Sequence, residues 1–245
     1  MQQQMTKQEI KRAPQWDEDR DRRKNKRRSS RRSEGSSLAV LTLIWLLVLL
    51  IFIGIGIGIG WLLWGRQEKA KEIDLKAIEA PSWIEQDFIR KNIYSRPAVS
   101  LKEVNGIVIH YVANPGSTAR QNRDYFDSLA DQTENGDSVS SHFIVGLEGE
   151  VIQAVPISEM AYASNYRNSD TIAIESCHPD ETGKYNPETY DSMVKLTAWL
   201  CSELELNPKK DIIRHYDINE KNCPKYFVEN EDAWNQFLKD VEAAM

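Results

Sequence analysis

Two histidines and one cysteine are the residues of this chain best suited to bind a metal ion. His110 closes the apolar part of the run 106–112, and His215 closes a shorter apolar run, 211–215. Cys223 follows eight positions after His215. Two imidazoles and one thiolate are a known ligand set for catalytic zinc, which keeps a fourth position open to water. Spacing alone does not establish such a site, because these residue types recur by chance and a strand histidine is commonly a structural core residue.

The elements that must position these side chains form an α/β pattern. Apolar and alternating runs predict strands at 106–113, 142–146, 151–155 and 171–177, with a further short strand ending at His215. Helices are predicted near 118–131, over 187–206 and from about Glu231. The expected fold is a single α/β domain with a central mixed β-sheet flanked by helices, preceded by one transmembrane helix.

Four short segments, read in order, carry a family resemblance. They are Gly-Ile-Val-Ile-His-Tyr-Val-Ala-Asn at 106–114, Ser-His-Phe-Ile-Val-Gly-Leu-Glu-Gly at 141–149, Thr-Ile-Ala-Ile-Glu at 171–175, and Ile-Arg-His-Tyr-Asp at 213–217 with Lys-Asn-Cys-Pro at 221–224. Over residues 92–240 the chain resembles the zinc-dependent N-acetylmuramoyl-L-alanine amidases (amidase type 2), which include phage amidase lysozymes and peptidoglycan recognition proteins. Composition and periodicity do not indicate the substrate, which the resemblance alone implies.

The resemblance implies a role for each residue of the site. Zn²⁺ would be bound by His110, His215 and Cys223. Glu175 matches the general base, although a carboxylate at a strand end is otherwise a solvent-exposed charge. Lys221 matches the lysine that stabilises the tetrahedral oxyanion, and its alternative reading is a solvated loop lysine.

The chain departs from the family pattern at two places. Ser141 occupies the position of a catalytic tyrosine in phage members, and it is expected on the substrate side together with Asn168, which matches a family asparagine that orders a loop. Residues 161–164 read Ala-Tyr-Ala-Ser where many relatives have His-Ala-Gly. Of the other histidines, His142 matches a structural strand position and His178 is expected in a loop. Either one, as a fourth protein ligand, would close the zinc site and abolish hydrolysis.

The N-terminal part of the chain is predicted to be a membrane anchor. Residues 38–64 contain no charged side chain, and a helix of that length spans about 40 Å, more than the roughly 30 Å hydrocarbon core. A cleaved signal peptide has a shorter apolar region of about 7–15 residues. Trp61 and Trp64 would lie in the interfacial aromatic belt. We therefore expect an uncleaved signal anchor at 37–65.

Charge predicts the orientation of this anchor. Nine of the thirteen residues 20–32 are Lys or Arg, so the positive-inside bias keeps the N-terminus in the cytoplasm and places the catalytic domain outside the cell membrane. Such a cluster also occurs in nucleic-acid and anionic-lipid sites. A topology signal beside a membrane helix needs neither, and no nucleic-acid partner is expected. Gly54, Gly56, Gly58 and Gly60 permit close helix packing and hence a weak homodimer.

The predicted organisation has four parts. Residues 1–36 form a basic disordered cytoplasmic tail and 37–65 the anchor. Residues 66–91 form an extracytoplasmic stalk and linker, helical over 66–80, and 92–245 form the zinc amidase domain. Cys177 and Cys201 are separated by a strand end and about fourteen helical residues, about 20 Å, which is too far for a disulfide.

The expected function is that of a single-pass peptidoglycan hydrolase. Zinc-activated water would cleave the amide between N-acetylmuramic acid and the L-alanine of the stem peptide. Two alternatives remain open at this point: a noncatalytic peptidoglycan receptor on the same fold, and a metallopeptidase that acts on the stem peptide. Retention of both Cys223 and Glu175 favours the enzyme, because silent members of the family typically lose the cysteine ligand.

Overall fold

The computed structural model describes residues 22–23, 39–60, 73–133 and 136–245. The chain divides into two compact units, Met1–Lys71 and Glu72–Met245. The predictions for most of the tail 1–36, for Trp61 and Trp64, and for the first part of the stalk, 66–72, lie outside the described residues.

In the first unit, the described part is dominated by one apolar helix, α1 (Ala39–Gly60). It has 22 residues, none of them charged, and its side chains are not buried within the protein. At 1.5 Å per residue it is about 33 Å long, close to the thickness of a hydrocarbon core. The predicted apolar helix is therefore present within the bounds of the proposed anchor, and by length and composition it could cross a membrane.

The second unit is built on a six-stranded mixed sheet with the strand order β1-β4-β3-β5-β2-β6. Only the β3–β4 pair is antiparallel, and the other four pairs are parallel. The strands are β1 (Ile84–Gln86), β2 (Gly106–Ile109), β3 (Phe143–Val145), β4 (Val151–Gln153), β5 (Thr171–Ser176) and β6 (Ile212–Arg214). The predicted mixed α/β sheet is confirmed.

Helices cover both faces of this sheet. They are α2 (Ala119–Ser128), α3 (Pro187–Glu203), α4 (Pro208–Asp211), α5 (Tyr216–Asn219), α6 (Lys225–Glu229) and α7 (Glu231–Ala244), with 3-10 turns at Leu129–Asp131 and Asn165–Ser169. Thr118 begins α2 with a reciprocal capping box to Gln121. Asn186 caps α3, and Pro187 occupies its first turn.

Side chains alternate between two hydrophobic cores because successive strand residues point to opposite faces. Ile107 and Ile109 belong to the core beneath α3 and α7, which also contains Met193 and Phe237. The smaller core, on which α2 packs through Phe126, contains residues of β3 and β4. Every residue of β2 is buried, as expected for a parallel strand covered on both faces.

The folded domain begins earlier in the chain than the predicted boundary at residue 92. The described residues 73–80 contain no helix, so the helical stalk predicted over 66–80 does not form in that part. Leu75 is 8% exposed and lies in the larger core, against which Ile73 and Ile78 also pack. β1 then adds a parallel strand beside β4. Residues 73–91 are therefore part of the fold, and the short β1 escaped prediction because three residues carry little periodic signal.

Candidate metal centre and catalytic cleft

Two neighbouring parallel strands deliver the two histidines to the same edge of the sheet. His110 directly follows β2 and His215 directly follows β6, and the register pairs Ile109 with Arg214. The N–H of His215 donates to the carbonyl oxygen of Ile109 at 3.2 Å, which ties the second histidine to the first strand. The ring centroids are 4.7 Å apart. Carboxyl ends of parallel strands are the usual place for a site in such a sheet.

Cys223 returns to this edge through a tight loop after α5. Glu220 has φ 61°, a left-handed conformation that reverses the chain, and the N–H of Tyr216 donates to the carbonyl oxygen of Cys223 at 2.8 Å. Sγ of Cys223 lies 3.8 Å from Nδ1 of His110. Potential ligand atoms of the two histidines and the cysteine all lie within 4.8 Å of one another, and all three residues are buried.

Burial keeps these groups neutral when no cation is bound. It holds the pKa of His110 well below its usual value, assisted by the charges of His215 and Lys221. Burial, followed by the charge of Lys221, lowers the pKa of His215 to about 4. Burial and the charge of Glu175 raise the pKa of Cys223 to about 12, although a hydrogen bond from the backbone of Tyr111 acts in the opposite direction. Neutral imidazoles are the form that binds a metal.

The hydrogen bonds of the rings fit a tetrahedral zinc site. Nδ1 of His215 is buried without a partner among the described residues, whereas its Nε2 lies 2.9 Å from Oδ1 of Asn165. Zinc bonds of about 2.0–2.3 Å to nitrogen and sulfur place neighbouring ligand atoms roughly 3.3–3.6 Å apart. The 3.8 Å between Sγ of Cys223 and Nδ1 of His110 is close to that spacing. Ligand type, burial and an unpaired ring nitrogen therefore all suit zinc.

Glu175 lies next to His110 across the sheet. β5 pairs with β2 so that Ile174 is opposite Ile109, which brings Glu175 level with His110. Its Oε2 atom is buried with no hydrogen-bond partner in the described part of the chain, although the residue as a whole is only half-buried. Burial raises the pKa of Glu175 to about 8, and the charge of Lys221 partly opposes this. Such a shifted carboxyl group beside a cluster of ligands is typical of a functional site.

An open cleft of about 590 Å³ borders the cluster. His215 and Lys221 line it, together with Tyr125, Tyr162 and Asn168. Lys221 is exposed, and its charge influences the pKa of Glu175, Cys223 and both histidines. The positively charged side chain of this lysine therefore lies near the predicted metal ligands. This volume is within the usual range for ligand sites, about 300–1,000 Å³.

Ser141 does not face this cleft. It is fully buried, and its Oγ lies 2.9 Å from the carbonyl oxygen of Phe143 and 2.8 Å from that of Ala173. The hydroxyl is thus committed to the sheet, and the predicted contact of Ser141 with substrate is wrong. The physical reason is the two-residue repeat of a strand, which turns this side chain inward at its end.

Asn168 holds the backbone of a neighbouring loop segment as well as lining the cleft. Its Oδ1 accepts hydrogen bonds from the N–H groups of Ala163 at 3.0 Å and Ser164 at 2.5 Å. The residue therefore orders the segment that enters the 3-10 turn Asn165–Ser169, while also lining the cleft. Its predicted substrate contact stays a prediction.

The remaining histidines lie outside the ligand cluster found among the described residues. Nδ1 of His142 accepts from the N–H of Ala173 at 3.0 Å, and Nε2 donates to the carbonyl oxygen of Glu159 at 2.9 Å. Burial lowers the pKa of His142 to about 4, so the neutral ring links β5 to the loop that carries Glu159. His178 is buried in the loop after β5, where Nδ1 lies 2.8 Å from the carbonyl oxygen of Asp180.

Sequence reasoning missed the residues that contact the histidine rings. Ser164 lies 3.3 Å from Nε2 of His110, and Asn165 lies 2.9 Å from Nε2 of His215. Each is separated from its histidine by at least 50 positions, so no local spacing reveals the contact. Asn219 could have been found, because it follows His215 by four residues in a helical turn and lies 3.2 Å from its Nε2.

Three comparisons place the chain among known proteins. The sequence model of Amidase_2, the N-acetylmuramoyl-L-alanine amidases, matches residues 100–226, more than half of the chain. Relatives include N-acetylmuramoyl-L-alanine amidase CwlL of Bacillus licheniformis, 31% identical over 172 residues, which cover 65% of this chain and 47% of the relative. BlyA of Bacillus subtilis (strain 168) is 32% identical over 178 residues, covering 64% and 46%. The chain thus spans about half the length of these relatives.

Solved structures share the fold. The catalytic domain of XlyA superposes with a TM-score of 0.54 at 22% identity, covering 64% of this chain and 98% of that domain. PlyL superposes with a TM-score of 0.56 at 20% identity, covering 66% and 98%. The family's sequence model matches a region that lies within the second unit. The chain belongs to the N-acetylmuramoyl-L-alanine amidase family.

Proposed function

We propose that this protein is a membrane-anchored, zinc-dependent peptidoglycan amidase. It cleaves the amide bond between the lactyl group of N-acetylmuramic acid and the L-alanine of the stem peptide. The observation that carries this proposal is the convergence of His110, His215 and Cys223, with ligand atoms within 4.8 Å, beside Glu175 and an open cleft. Membership of the amidase family supports the choice of substrate.

The three ligand residues would hold one zinc ion. When bound, the ion supplies Lewis-acid polarisation of the amide carbonyl and activates the attacking water. Cys223 would have to lose its proton to bind the cation, because a thiolate rather than a thiol is the ligand. His110 and His215 need not lose a proton near neutral pH, because burial already keeps them neutral.

Glu175 serves as the proton acceptor for the attacking water and then returns the proton to the departing amine of L-alanine. Its Oε2 atom, which has no hydrogen-bond partner among the described residues, can make that bond, and a pKa near the working pH suits both halves of the transfer. Lys221, on the rim of the cleft, stabilises negative charge that develops on the amide oxygen.

The anchor would hold the protein in the cell membrane in a single pass. Its apolar helix α1 and the preceding Lys- and Arg-rich stretch support a cytoplasmic N-terminus and an extracytoplasmic amidase domain. In this proposal residues 1–36 are the cytoplasmic tail, 37–65 the anchor, and the amidase domain extends from about residue 72.

Digestion of purified muropeptides by the full chain, followed by mass spectrometry, tests the activity. We expect free stem peptides that begin with L-alanine, together with sugars that retain the lactyl carboxylate. Cleavage within the stem peptide would instead identify a metallopeptidase, and binding without products a receptor. Cys223→Ser should abolish both product formation and the near-stoichiometric zinc content, because a neutral hydroxyl replaces a thiolate. Cys201→Ala, at a buried cysteine of α3, is the matched control and should retain both.

A further inference from the structure

The segment that precedes β5 reaches both candidate histidine ligands. Its backbone is fixed by Asn168, whose Oδ1 accepts from the N–H groups of Ala163 and Ser164. The 3-10 turn Asn165–Ser169 follows directly. The backbone that carries the next side chains of this segment is therefore held in place.

Two consecutive residues of the segment contact the two rings. Oγ of Ser164 lies 3.3 Å from Nε2 of His110, and Oδ1 of Asn165 lies 2.9 Å from Nε2 of His215. The other ring nitrogens differ in surroundings: Nδ1 of His110 is 3.8 Å from the sulfur of Cys223, and Nδ1 of His215 has no partner among the described residues. Both rings thus meet the same segment at Nε2 and leave Nδ1 for the candidate metal.

We propose that Ser164 and Asn165 are paired positioning residues that set the ring orientation and tautomer of His110 and His215 for metal binding. The inference rests on the metal-dependent function proposed above, and it assigns roles to residues outside the ligand set. A neutral imidazole carries a single N–H. An oxygen acceptor at Nε2 holds the proton there and leaves the lone pair of Nδ1 for a metal, and such outer partners govern affinity.

Burial makes these contacts consequential. Ser164 is 1% exposed and His110 2%, so water is poorly placed to replace a missing acceptor at that contact. Asn165 is itself exposed at the cleft, but the ring of His215 that it contacts is only 5% exposed, so the fixed position of its oxygen is what orients that ring. An N–H left without its acceptor in such a place is unfavourable, and the ring is free to turn away. Loss of either oxygen should therefore weaken metal binding rather than leave it unchanged.

Asn165 also connects His215 to the segment that carries Lys221. Its Oδ1 accepts a second hydrogen bond, from Nδ2 of Asn219 at 2.8 Å, and Oδ1 of Asn219 accepts from the N–H of Lys221 at 3.1 Å. Asn165 holds φ 53°, a left-handed conformation that asparagine tolerates better than most residues. One side chain therefore aligns a metal ligand with the loop of the predicted oxyanion lysine.

The test compares zinc affinity, measured by chelator competition on the full chain in detergent, among three variants. Ser164→Ala and Asn165→Gly remove one acceptor each, and glycine also accepts the left-handed backbone of position 165. Each should bind zinc about 10–100-fold more weakly than the wild type. Asn165→Asp keeps the acceptor and should bind at least as tightly as the wild type. The absorption spectrum of the Co²⁺-substituted protein should change in the first two variants and be retained in Asn165→Asp.

Two controls match the variants without touching the site. The hydroxyl of Ser192 donates to the carbonyl oxygen of Gly149 at 2.7 Å, and Glu205 has φ 54°. Ser192→Ala and Glu205→Gly should both bind zinc as the wild type does. Circular dichroism of every variant establishes that the comparison is made on folded protein.

The outcomes separate this inference from the function on which it rests. If the wild type binds zinc and His215→Ala removes it, yet Ser164→Ala and Asn165→Gly bind as tightly as the wild type, the positioning roles are overturned while the metal site stands. An Asn165→Asp variant as weak as Asn165→Gly overturns the role assigned to the oxygen acceptor. If the wild type shows no zinc binding that depends on His215, the proposed function fails and this inference fails with it.

Discussion

At the scale of single residues, the site is a buried group of acids and bases that all favour their neutral forms. Burial lowers the pKa of the two histidines and raises the pKa of Cys223 and Glu175. Lys221, at the rim, supplies a positive charge that shifts the pKa of Glu175, Cys223 and both histidines. A bound divalent cation would instead favour the charged forms, the thiolate of Cys223 and the carboxylate of Glu175. These residues could therefore hold a cation, as the proposed function requires.

The first prediction concerns the proton acceptor. Glu175→Gln keeps the shape of the side chain and removes its basicity, so turnover on muropeptides should fall by a factor of about 10²–10⁴ while zinc content stays unchanged. Rates and zinc content are measured on the same preparation. Glu203→Gln, at an exposed position of α3, should keep full activity. Nearly full activity in Glu175→Gln would place the base elsewhere.

The second prediction concerns the pH dependence of stability in the metal-free domain. The pKa of Glu175 is raised from 4.5 to about 8 on folding, so the folded state holds a proton that the unfolded state releases. The wild type should therefore lose stability as pH rises from about 4.5 to about 8, by at most a few kcal/mol, relative to Glu175→Gln. Urea unfolding of metal-free wild type and variant at a series of pH values measures the difference. If the wild type and Glu175→Gln show the same change of stability with pH, the pKa of Glu175 is not raised by burial.

At the scale of elements, the pairing of β2 with β6 determines the distance between the two histidines. The two strands run parallel with Val108 opposite Ile213, and each ends one residue before its histidine. Gly106 begins β2 at a point where a Cβ atom would lie 2.7 Å from the backbone carbonyl oxygen of Asp211. The absence of a side chain at this residue therefore allows the close approach that aligns both ligands.

The third prediction follows from that close approach. Gly106→Ala should destabilise the domain by about 1–3 kcal/mol, because backbone rather than a flexible side chain must move. Zinc affinity should fall as well, since β6 shifts relative to β2. Gly56→Ala is the control, because its Cβ would meet nothing within 4 Å. Chelator competition and denaturant unfolding give the two quantities, and unchanged zinc affinity in a destabilised Gly106→Ala would show that the strand spacing does not set the site.

At the scale of the whole molecule, charge is divided unevenly along the chain. Residues 1–37 contain 12 Lys and Arg against 6 Asp and Glu, a net charge of +6, which leaves 19 against 31, a net charge of −12, for the rest. A negatively charged domain gains no long-range attraction to an anionic wall. In the proposed function, tethering must therefore supply the local concentration of enzyme.

The fourth prediction concerns where the folded domain begins. A fragment that starts at residue 82 loses Leu75 and the contacts of Ile73 and Ile78 with the larger core. It should be less stable than the fragment 72–245 by about 2–4 kcal/mol. Denaturant midpoints of the two fragments measure this difference. Leu75→Ala in the longer fragment should reproduce most of it, whereas equal midpoints would show that residues 73–81 only rest on the domain.

The fifth prediction concerns the anchor. An exported fragment 72–245 should hydrolyse soluble muropeptides at the rate of the full chain, because the residues of the proposed site all lie within it. Wall cleavage in the cell should be lower for the fragment than for the full chain at equal expression, since the fragment is not held at the membrane. Released wall peptides and protein amounts are measured together. Equal wall cleavage by both forms would show that the anchor does not increase cleavage of the wall.

The sequence by itself determined five of the six strands and the chemical types of the site. His110, Glu175 and His215 are each recognisable because an apolar run that forms a strand stops at or beside them, and strand ends in a parallel sheet meet at one edge. α1 is recognisable as a long apolar helix because the run 38–64 contains no charged residue. These signals depend only on residues that are neighbours along the chain, so they can be recognised from one sequence.

Only the tertiary structure decided which side chains approach one another. Ser141 turns into the sheet, and residues 73–91 join the core instead of forming a stalk. Ser164 and Asn165 reach the histidine rings across at least 50 positions. The physical reason is that hydrogen bonds and packing act through distance in space, and the types and spacings of residues along the chain do not specify that distance.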